Sequence, residues 1–302
     1  MMDPRRISRR HGAALLVLSA TACAPGDVPG TAAAAATCQV VRSSIRLPEE
    51  VAETSGLAES RVRPGVFWTH NDSGGDPVLY ALNAAGQLLG TVRVTGAENK
   101  DWEDIAVGPC PAGSCIYIGD TGDNNGKRKD VEVYRVPEPA PTAAATAPAE
   151  RFTLRYPQDS RDSEALFVLP DGALYLVTKG RRQPVELFRA RAPLRAGTTS
   201  TLQRVSGLST SEPGRINQVT GAAATPDGRR VAVRTYTGLY VFRTADLLSG
   251  DQPAAERVDL TPLDEAQGEA VEMRNDGTVF LTSESPGKGD PALMSQLSCS
   301  VQ

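Results

Sequence analysis

The chain has 302 residues, of which 32 are basic and 36 are acidic, giving a net charge of −4 at neutral pH. An acidic chain is a poor partner for nucleic acid and a better one for cations. With only His11 and His70 as histidines, and without a tight ligand cluster, a zinc site is not expected.

The N-terminal residues have the features of an export signal. A head with four arginines precedes an apolar stretch, Gly12 to Ala20, that is too short to span a bilayer comfortably. The tetrapeptide Ala20-Thr21-Ala22-Cys23 fits either plain cleavage or lipid modification of Cys23. Ser8-Arg9-Arg10 resembles a twin-arginine signal, so the export route stays open. No other long apolar run follows, so we expect contact with the membrane only through a lipid on Cys23.

These features divide the chain into three parts. Residues 1–22 form the predicted signal peptide, residues 23–37 a tether rich in Ala, Pro and Gly, and residues 38–302 the folded domain. Removal of 1–22 leaves 28 basic and 35 acidic residues, a net charge of −7. We expect an exported monomer, either a cell-envelope lipoprotein or a secreted or periplasmic protein.

Four further cysteines agree with an oxidising compartment, and they allow three pairings. Cys110 and Cys115 flank a turn-forming Pro-Ala-Gly-Ser sequence, which favours a disulfide within one hairpin. That pairing leaves Cys38, at the start of the domain, with Cys299, near its end.

A repeat predicts the architecture. Three segments, 163–175, 219–231 and 268–280, align without gaps as a short strand, an Asp-Gly turn and a second apolar strand. This pattern is typical of a β-hairpin. Two further copies start at Ser55 and Glu103 with different turns, and strand-like runs follow the hairpins.

The five copies begin at residues 55, 103, 164, 220 and 269, so successive starts are 48 to 61 residues apart. This spacing is the length of a four-stranded propeller blade. We therefore predict an all-β, five-bladed propeller; the alternatives are an open sandwich or a six-bladed ring with one degenerate blade. Because the last copy lacks an outer strand, Gln39 to Leu47 is expected to supply it. The ring would then close by pairing of the terminal strands, with the Cys38–Cys299 disulfide at the seam.

The first residue of each inner strand should sit at one mouth of the central tunnel. All five carry oxygen, and we call them the mouth ring: Ser55, Glu103, Glu164, Thr220 and Glu269. Three glutamates in a narrow tunnel repel one another unless a cation lies between them. Calcium tolerates loose oxygen geometry better than magnesium, so the mouth ring predicts a calcium site. The alternative is that these glutamates are solvated at ordinary strand starts.

The order Ser, Glu, Glu, Thr, Glu at these starts resembles two families of five-bladed propeller. One is the SdiA-regulated propeller family of bacterial envelope proteins, and the other is the calcium-activated nucleotidases, or apyrases. The resemblance covers about residues 40–300, differs by Thr220 in place of Ser, and implies a calcium ion in the tunnel.

The loops that leave the second strands should face the same mouth. Five side chains there are candidates for chemistry on a phosphate: His70, Asp120, Asp123, Lys179 and Arg234. In a hydrolase, Lys179 and Arg234 would clamp the phosphate, and His70, Asp120 or Asp123 would act as base.

Two functions fit these features. The first is a calcium-binding envelope propeller that holds a small anionic ligand or an envelope protein at the tunnel mouth. The second is a calcium-dependent hydrolase of phosphoesters or phosphoanhydrides. Because propellers serve both roles, the fold does not choose between them.

Overall fold

The structure is a computed structural model, and it describes residues 37–209 and 217–300. The predicted signal peptide and nearly all of the predicted tether lie outside these residues. Strands dominate the described chain, and the regular helices are a four-residue α-helix at Thr244–Leu247 and short 3-10 turns at Glu49–Val51 and Thr261–Leu263.

The strands follow one another at short intervals. In chain order they are β1 Thr37–Arg46, β2 Thr54–Glu59, β3 Val66–Asn71, β4 Val78–Asn83, β5 Leu88–Arg93, β6 Trp102–Cys110, β7 Gly113–Asp120, β8 Val131–Pro137, β9 Glu150–Arg155, β10 Ser163–Val168, β11 Leu174–Thr178, β12 Glu186–Arg189, β13 Thr199–Thr201, β14 Gln203–Gly207, β15 Val219–Ala224, β16 Arg230–Thr235, β17 Gly238–Arg243, β18 Ala255–Asp259, β19 Gly268–Met273, β20 Thr278–Ser283 and β21 Leu293–Ser300.

These strands form five antiparallel sheets, the blades of a β-propeller, as the repeat predicted. Blade 1 is β2 to β5, blade 2 is β6 to β9, blade 3 is β10, β11, β12 and β14, and blade 4 is β15 to β18. The short β13 adds to the outer edge of blade 2 by parallel pairing with β9.

Blade 5 joins the two ends of the domain. Its order is β19, β20, β21 and β1, so the first strand of the domain is the outer strand of the last blade. Cys38 lies directly opposite Cys299 in this pairing and is bonded to it. The second disulfide joins Cys110 to Cys115 across the β6–β7 turn. Both predicted pairings and the predicted closing strand are confirmed.

The blades are held together by apolar layers between neighbouring sheets. Between blades 1 and 2, Trp68 and Trp102 are both completely buried. In the layer between blades 3 and 4, Phe167 of β10 stacks on Tyr175 of β11, with ring centroids 4.9 Å apart. Burial of each large side chain contributes roughly 1.5–3 kcal/mol. The two tryptophans therefore serve packing and do not offer a stacking surface for a ligand.

No helix in the described part of the chain is long and apolar enough to cross a membrane.

Candidate functional site

The innermost strands β2, β6, β10, β15 and β19 contact one another in cyclic order around the centre of the propeller. In all five blades the pairing of the innermost hairpin shifts register at the mouth-ring residue. In blade 2, for example, Trp102 pairs with Asp120 and Asp104 pairs with Gly119, which leaves Glu103 without a cross-strand partner. Each mouth-ring residue therefore sits at a β-bulge, a device that re-aims a side chain.

The bulges place the mouth ring in the protein interior. The five residues have relative exposures of 1–4 %. Carboxylates this deeply buried are stable only with a compensating partner, because water no longer solvates their charge. The alternative of glutamates solvated at ordinary strand starts does not fit this burial.

Two ring glutamates meet three aspartates from nearby loops. Asp72, Asp101 and Glu103 form one group, and Glu103, Asp162 and Glu164 form a second. Within each group, one oxygen from every member lies within 4.8 Å of the others. Glu103 belongs to both groups, so the five carboxylates are continuous, and we call them the acidic cluster.

The loop after β7 covers this cluster from one side. A Cβ atom at Gly122 would overlap the carboxylates of both Glu103 and Asp101, so a larger residue there would displace these side chains. The backbone N–H of Asp123 donates to Oδ1 of Asp162 at 2.7 Å. The other oxygen of Asp162, Oδ2, is buried and has no hydrogen-bond partner. Asp162 is therefore held in place by one oxygen while the other remains available to a ligand.

One cation enters the acidic cluster. Lys179 Nζ lies 2.6 Å from Oε1 of Glu164. Among the described residues, no other basic group forms an ion pair with these five carboxylates. Burial lowers the pKa of Lys179, but the charge of Glu164, the hydrogen bond that it accepts from the lysine and the charge of Glu103 together outweigh burial and raise the pKa overall. Lys179 is therefore charged, and one positive charge faces five acids.

The pKa values of the acidic cluster are raised, as expected for carboxyl groups that outnumber their cations. Burial raises the pKa of Glu103 well above its usual range, and the charges of Glu164, Asp72 and Asp101 raise it further. Burial raises the pKa of Glu164 to about 7 although Lys179 opposes the shift. Burial and the charge of Asp72 raise the pKa of Asp101 to about 6. Without a second cation, the cluster binds protons at a pH where free carboxyls do not.

The other ring residues have distinct surroundings. Ser55 Oγ donates to the backbone oxygen of Glu103 at 2.6 Å, so its hydroxyl supports the neighbouring bulge. Thr220 Oγ1 is buried and has no hydrogen-bond partner. Glu269 accepts a hydrogen bond from Gln267 Nε2 at 2.8 Å. Burial and the charge of Glu164 raise the pKa of Glu269 as well. The charges of Glu164 and Glu269 are thus coupled, but Glu269 is not a member of the acidic cluster.

His70 and Asp120 have internal partners. His70 is fully buried, contacts the Trp102 ring edge-on, and its pKa falls to about 4 because of burial. Asp120 forms an ion pair with Arg128, with an N–O distance of 2.7 Å, and accepts the backbone N–H of Lys100. Neither group is directed at the acidic cluster by these contacts.

Asp123 and Arg234 also serve the framework. The carboxylate of Asp123 accepts the N–H groups of Lys127 and Arg128, both at 2.8 Å, and so holds its own loop. The Arg234 guanidinium is fully buried, donates to the backbone oxygens of Ala270 and Thr282, and pairs with Glu265. These bonds join blade 4 to the bulge of blade 5. Of the five candidates for phosphate chemistry, Lys179 contacts the acidic cluster with its side chain, and Asp123 contacts it only through its backbone N–H.

Asp104, next to Glu103, is a structural residue that the sequence did not single out. Its carboxylate is fully buried and accepts the N–H of Ile105 in its own blade, of Leu166 in blade 3 and of Ala222 in blade 4. Burial raises the pKa of Asp104, and the three N–H donors act in the opposite direction. One carboxylate thus joins three inner strands directly beneath the mouth ring.

Asp101 and Asp162 were also not predicted as ligands, although the sequence contains a signal for them. Each stands two residues before a ring glutamate, in Asp101-Trp102-Glu103 and Asp162-Ser163-Glu164. Two residues this close in sequence are at most about 7 Å apart along the chain. The repeated Asp-x-Glu spacing would therefore have placed both aspartates beside the ring.

Comparisons with known proteins support the fold, and the account of the site rests on the geometry described above. No known protein family matches the sequence, and no characterised protein matches it closely enough to be called a relative. The PQQ-bound aldose sugar dehydrogenase from Streptomyces coelicolor superposes with a TM-score of 0.52 at 13% identity, over 88% of this chain and 98% of that one. A virginiamycin B lyase from Staphylococcus aureus superposes with a TM-score of 0.44 at 10% identity, over 87% and 99%.

The chain is therefore a five-bladed β-propeller with a buried acidic cluster that could hold a metal ion. The similarity to the dehydrogenase concerns the fold alone, because the identity is so low.

Proposed function

We propose that this protein is an exported, calcium-binding β-propeller of the cell envelope that holds a ligand or partner protein at the mouth of its tunnel. The observation that carries the proposal is the acidic cluster, five carboxylates of which, among the described residues, one forms an ion pair, Glu164 with Lys179. Two of these carboxylates, Glu103 and Glu164, are buried and the three aspartates are half-buried, so their mutual repulsion favours a further cation or bound protons.

The donor set fits calcium. Calcium binds six to eight oxygens at about 2.3–2.6 Å, so two ligands on opposite sides of the ion are about 5 Å apart. The oxygens within each group of the cluster lie within 4.8 Å of one another, which matches that separation. All five donors are carboxylate oxygens, the type that hard cations prefer. Oδ2 of Asp162, in the cluster, and Oγ1 of Thr220, in the mouth ring, are buried oxygens without a hydrogen-bond partner.

When bound, calcium would supply positive charge for an anionic ligand, and the chain's own residues would position it. Asp72, Asp101, Glu103, Asp162 and Glu164 would hold the ion. The Asp123 N–H orients Asp162, and Lys179 balances part of the charge through Glu164.

Two observations support export. Disulfides persist in oxidising compartments and are rare in the cytosol, and this domain has two of them. The N-terminal segment has the basic head and short apolar stretch of a signal peptide.

A binding role is favoured over the calcium-dependent hydrolase because none of the three candidate bases is placed to activate a water molecule at the acidic cluster. The pKa of His70 falls to about 4 through burial, and Asp120 and Asp123 are occupied by Arg128 and by the backbone of their own loop. Hydrolysis would need one of the cluster carboxylates to take that role.

The experiment is a calorimetric titration of the chelator-treated protein with calcium, paired with thermal unfolding in calcium and in chelator. We expect one strong binding event and a higher melting temperature in calcium. Calcium at a hundred times its dissociation constant adds about 2.7 kcal/mol to the free energy of unfolding. Magnesium serves as the matched control and should bind more weakly, since it demands stricter geometry. Absence of heat and of any shift in melting temperature would refute the proposal.

A further inference from the structure

A cavity lies beside the acidic cluster, between the loops of blades 2 and 3. Its volume is about 390 Å³, within the usual range for small-molecule sites. One side is formed by the loop after β7, including Asp123 and Asn124, and the other by the loop after β11, including Arg181 and Arg182. Asp162 lies in its wall.

The cavity has basic side chains that are not neutralised. Neither Arg181 nor Arg182 forms an ion pair within the described part of the chain, and both are exposed. Arg181 donates only to the neutral amide oxygen of Asn124, at 2.7 Å. Arg161, the third arginine of the wall, differs because its Nε pairs with Glu186 at 3.1 Å. Two guanidinium groups are therefore available to an anion in the cavity.

Asp162 connects this cavity to the proposed calcium site. It belongs to the acidic cluster with Glu103 and Glu164, and it also lines the cavity. Its buried Oδ2 has no partner, while Oδ1 is fixed by the N–H of Asp123. An anion in the cavity can therefore contact a cation at Asp162 with one end and the arginines with the other.

We propose that the cavity binds a phosphate-bearing small molecule whose phosphate lies between the bound calcium and the guanidinium groups of Arg181 and Arg182. Phosphate oxygens are good ligands for hard cations, and the guanidinium fork pairs with phosphate through two parallel hydrogen bonds. The proposal rests on the proposed function, since the cation is the second contact of the phosphate.

The test uses the complete domain and glycerol 2-phosphate as the probe. Binding is measured by calorimetry in saturating calcium and again in chelator. We expect binding in calcium and a loss of affinity of at least tenfold in chelator. The double substitution Arg181→Ala and Arg182→Ala should also weaken binding of glycerol 2-phosphate at least tenfold. Its calcium affinity should stay within about twofold of the wild-type value. The matched control replaces Arg191→Ala and Arg195→Ala, which removes the same charge from exposed positions at the other end of blade 3.

Each outcome supports or overturns the proposal. Weak binding to the Arg181/Arg182 variant with normal binding to the control variant supports it. Undiminished binding to the Arg181/Arg182 variant overturns it, and so does equal binding of glycerate, which has a carboxylate in place of the phosphate. Calcium binding without any binding of the phosphate probe refutes this inference alone, whereas absence of calcium binding refutes the proposed function as well.

Discussion

Lys179 and Glu164, which lie at neighbouring strands of blade 3, form a buried ion pair of 2.6 Å. Lys179 follows the second strand of blade 3, and Glu164 sits at the bulge of the first. Burial raises the pKa of Glu164, of Glu103 and of Glu269, and the charge of the lysine opposes the rise in all three. A fixed positive charge within the chain thus acts on the same oxygens that we propose for calcium.

Lys179→Met should increase the affinity for calcium, by at least about tenfold, because it removes a positive charge next to a ligand oxygen. The same substitution should lower the melting temperature in chelator, since Glu164 then loses its partner. Calorimetry and thermal unfolding, each with and without calcium, measure both effects. Lys129→Met, at an exposed position, is the control and should change neither. Unaltered calcium affinity in the Lys179 variant would show that the ion binds elsewhere.

Glu103→Gln should weaken calcium binding at least tenfold, because Glu103 is the residue shared by both groups of the acidic cluster. In chelator the variant should melt at a higher temperature than wild type, because the repulsion with Glu164, Asp72 and Asp101 is removed. Calcium affinity should thus fall while the melting temperature in chelator rises. Replacement of a purely structural glutamate would not produce this combination. Glu98→Gln, at an exposed position, is the matched control. A melting temperature that falls in both conditions would contradict the cluster's role.

In chelator, the free energy of unfolding should fall as pH rises from about 5 to about 8. The pKa of Glu164 is raised to about 7 by burial, whereas in the unfolded chain a glutamate titrates near 4.3. Between these values the folded protein binds more protons than the unfolded chain, so rising pH favours unfolding. Glu164 alone accounts for about 3 kcal/mol over this range. Burial lowers the pKa of His70 to about 4, so His70 acts in the opposite direction, but burial also raises the pKa of Glu272 and of Glu284 to about 7, and these two add to the fall.

Denaturant titrations at several pH values measure this slope. Groups that face Glu164 include Lys179, Glu103 and Asp162. Saturating calcium should flatten the slope, because bound calcium favours the ionised carboxylates, and calcium binding should release protons near neutral pH. A free energy of unfolding that increases steadily from pH 5 to pH 8 in chelator would contradict the assignment.

Asp104→Asn should lower the free energy of unfolding by about 3 kcal/mol, since charge-assisted hydrogen bonds contribute about 1.5–3 kcal/mol each and the amide cannot accept all three N–H groups equally well. For a domain of this size the melting temperature should fall by about 6–12 °C. Asp171→Asn is the control, because its carboxylate accepts one N–H in an exposed turn. Equal, small effects of both substitutions would show that Asp104 does not hold blades 2, 3 and 4 together.

Replacement of Cys38 and Cys299 by serine should destabilise the domain more than replacement of Cys110 and Cys115. In the chain-entropy model a loop of 261 residues contributes about 5.6 kcal/mol, and a loop of 5 residues about 2 kcal/mol. Denaturant unfolding of the two double variants under non-reducing conditions gives the comparison. Similar losses for both pairs would mean that closure of the ring depends on the pairing of β1 with β21 rather than on the disulfide.

The fold could be predicted from the sequence because it depends on a repeated local pattern. Each blade begins with a hairpin whose strands and turn are recognisable within about 13 residues, and five copies at blade spacing leave few other architectures. The outer strand of blade 5 was predicted for the same reason, since Gln39 to Leu47 was the strand-like segment left over.

The acidic cluster was predicted only in part because its members come from different kinds of structure. Glu103 and Glu164 stand in the repeat and could be found by alignment. Asp72 belongs to a loop after β3, and its approach to Asp101 depends on how neighbouring blades are arranged. The partners of Arg234 and Asp120 also come from outside the repeat, so their internal contacts could not be anticipated from spacing alone.

The bulges at the mouth ring have a consequence for how such a protein can change over time. Each ring residue lies at a register shift between the first two strands of its blade, so it has no cross-strand partner of its own. Its replacement therefore leaves the neighbouring cross-strand pairs in place. Selection can therefore exchange a serine, threonine or glutamate at these five positions without rebuilding the blades. Under the proposed function, the residues that hold the ligand would be largely separate from the strand pairs that hold the blades, so a few single substitutions would change what is bound.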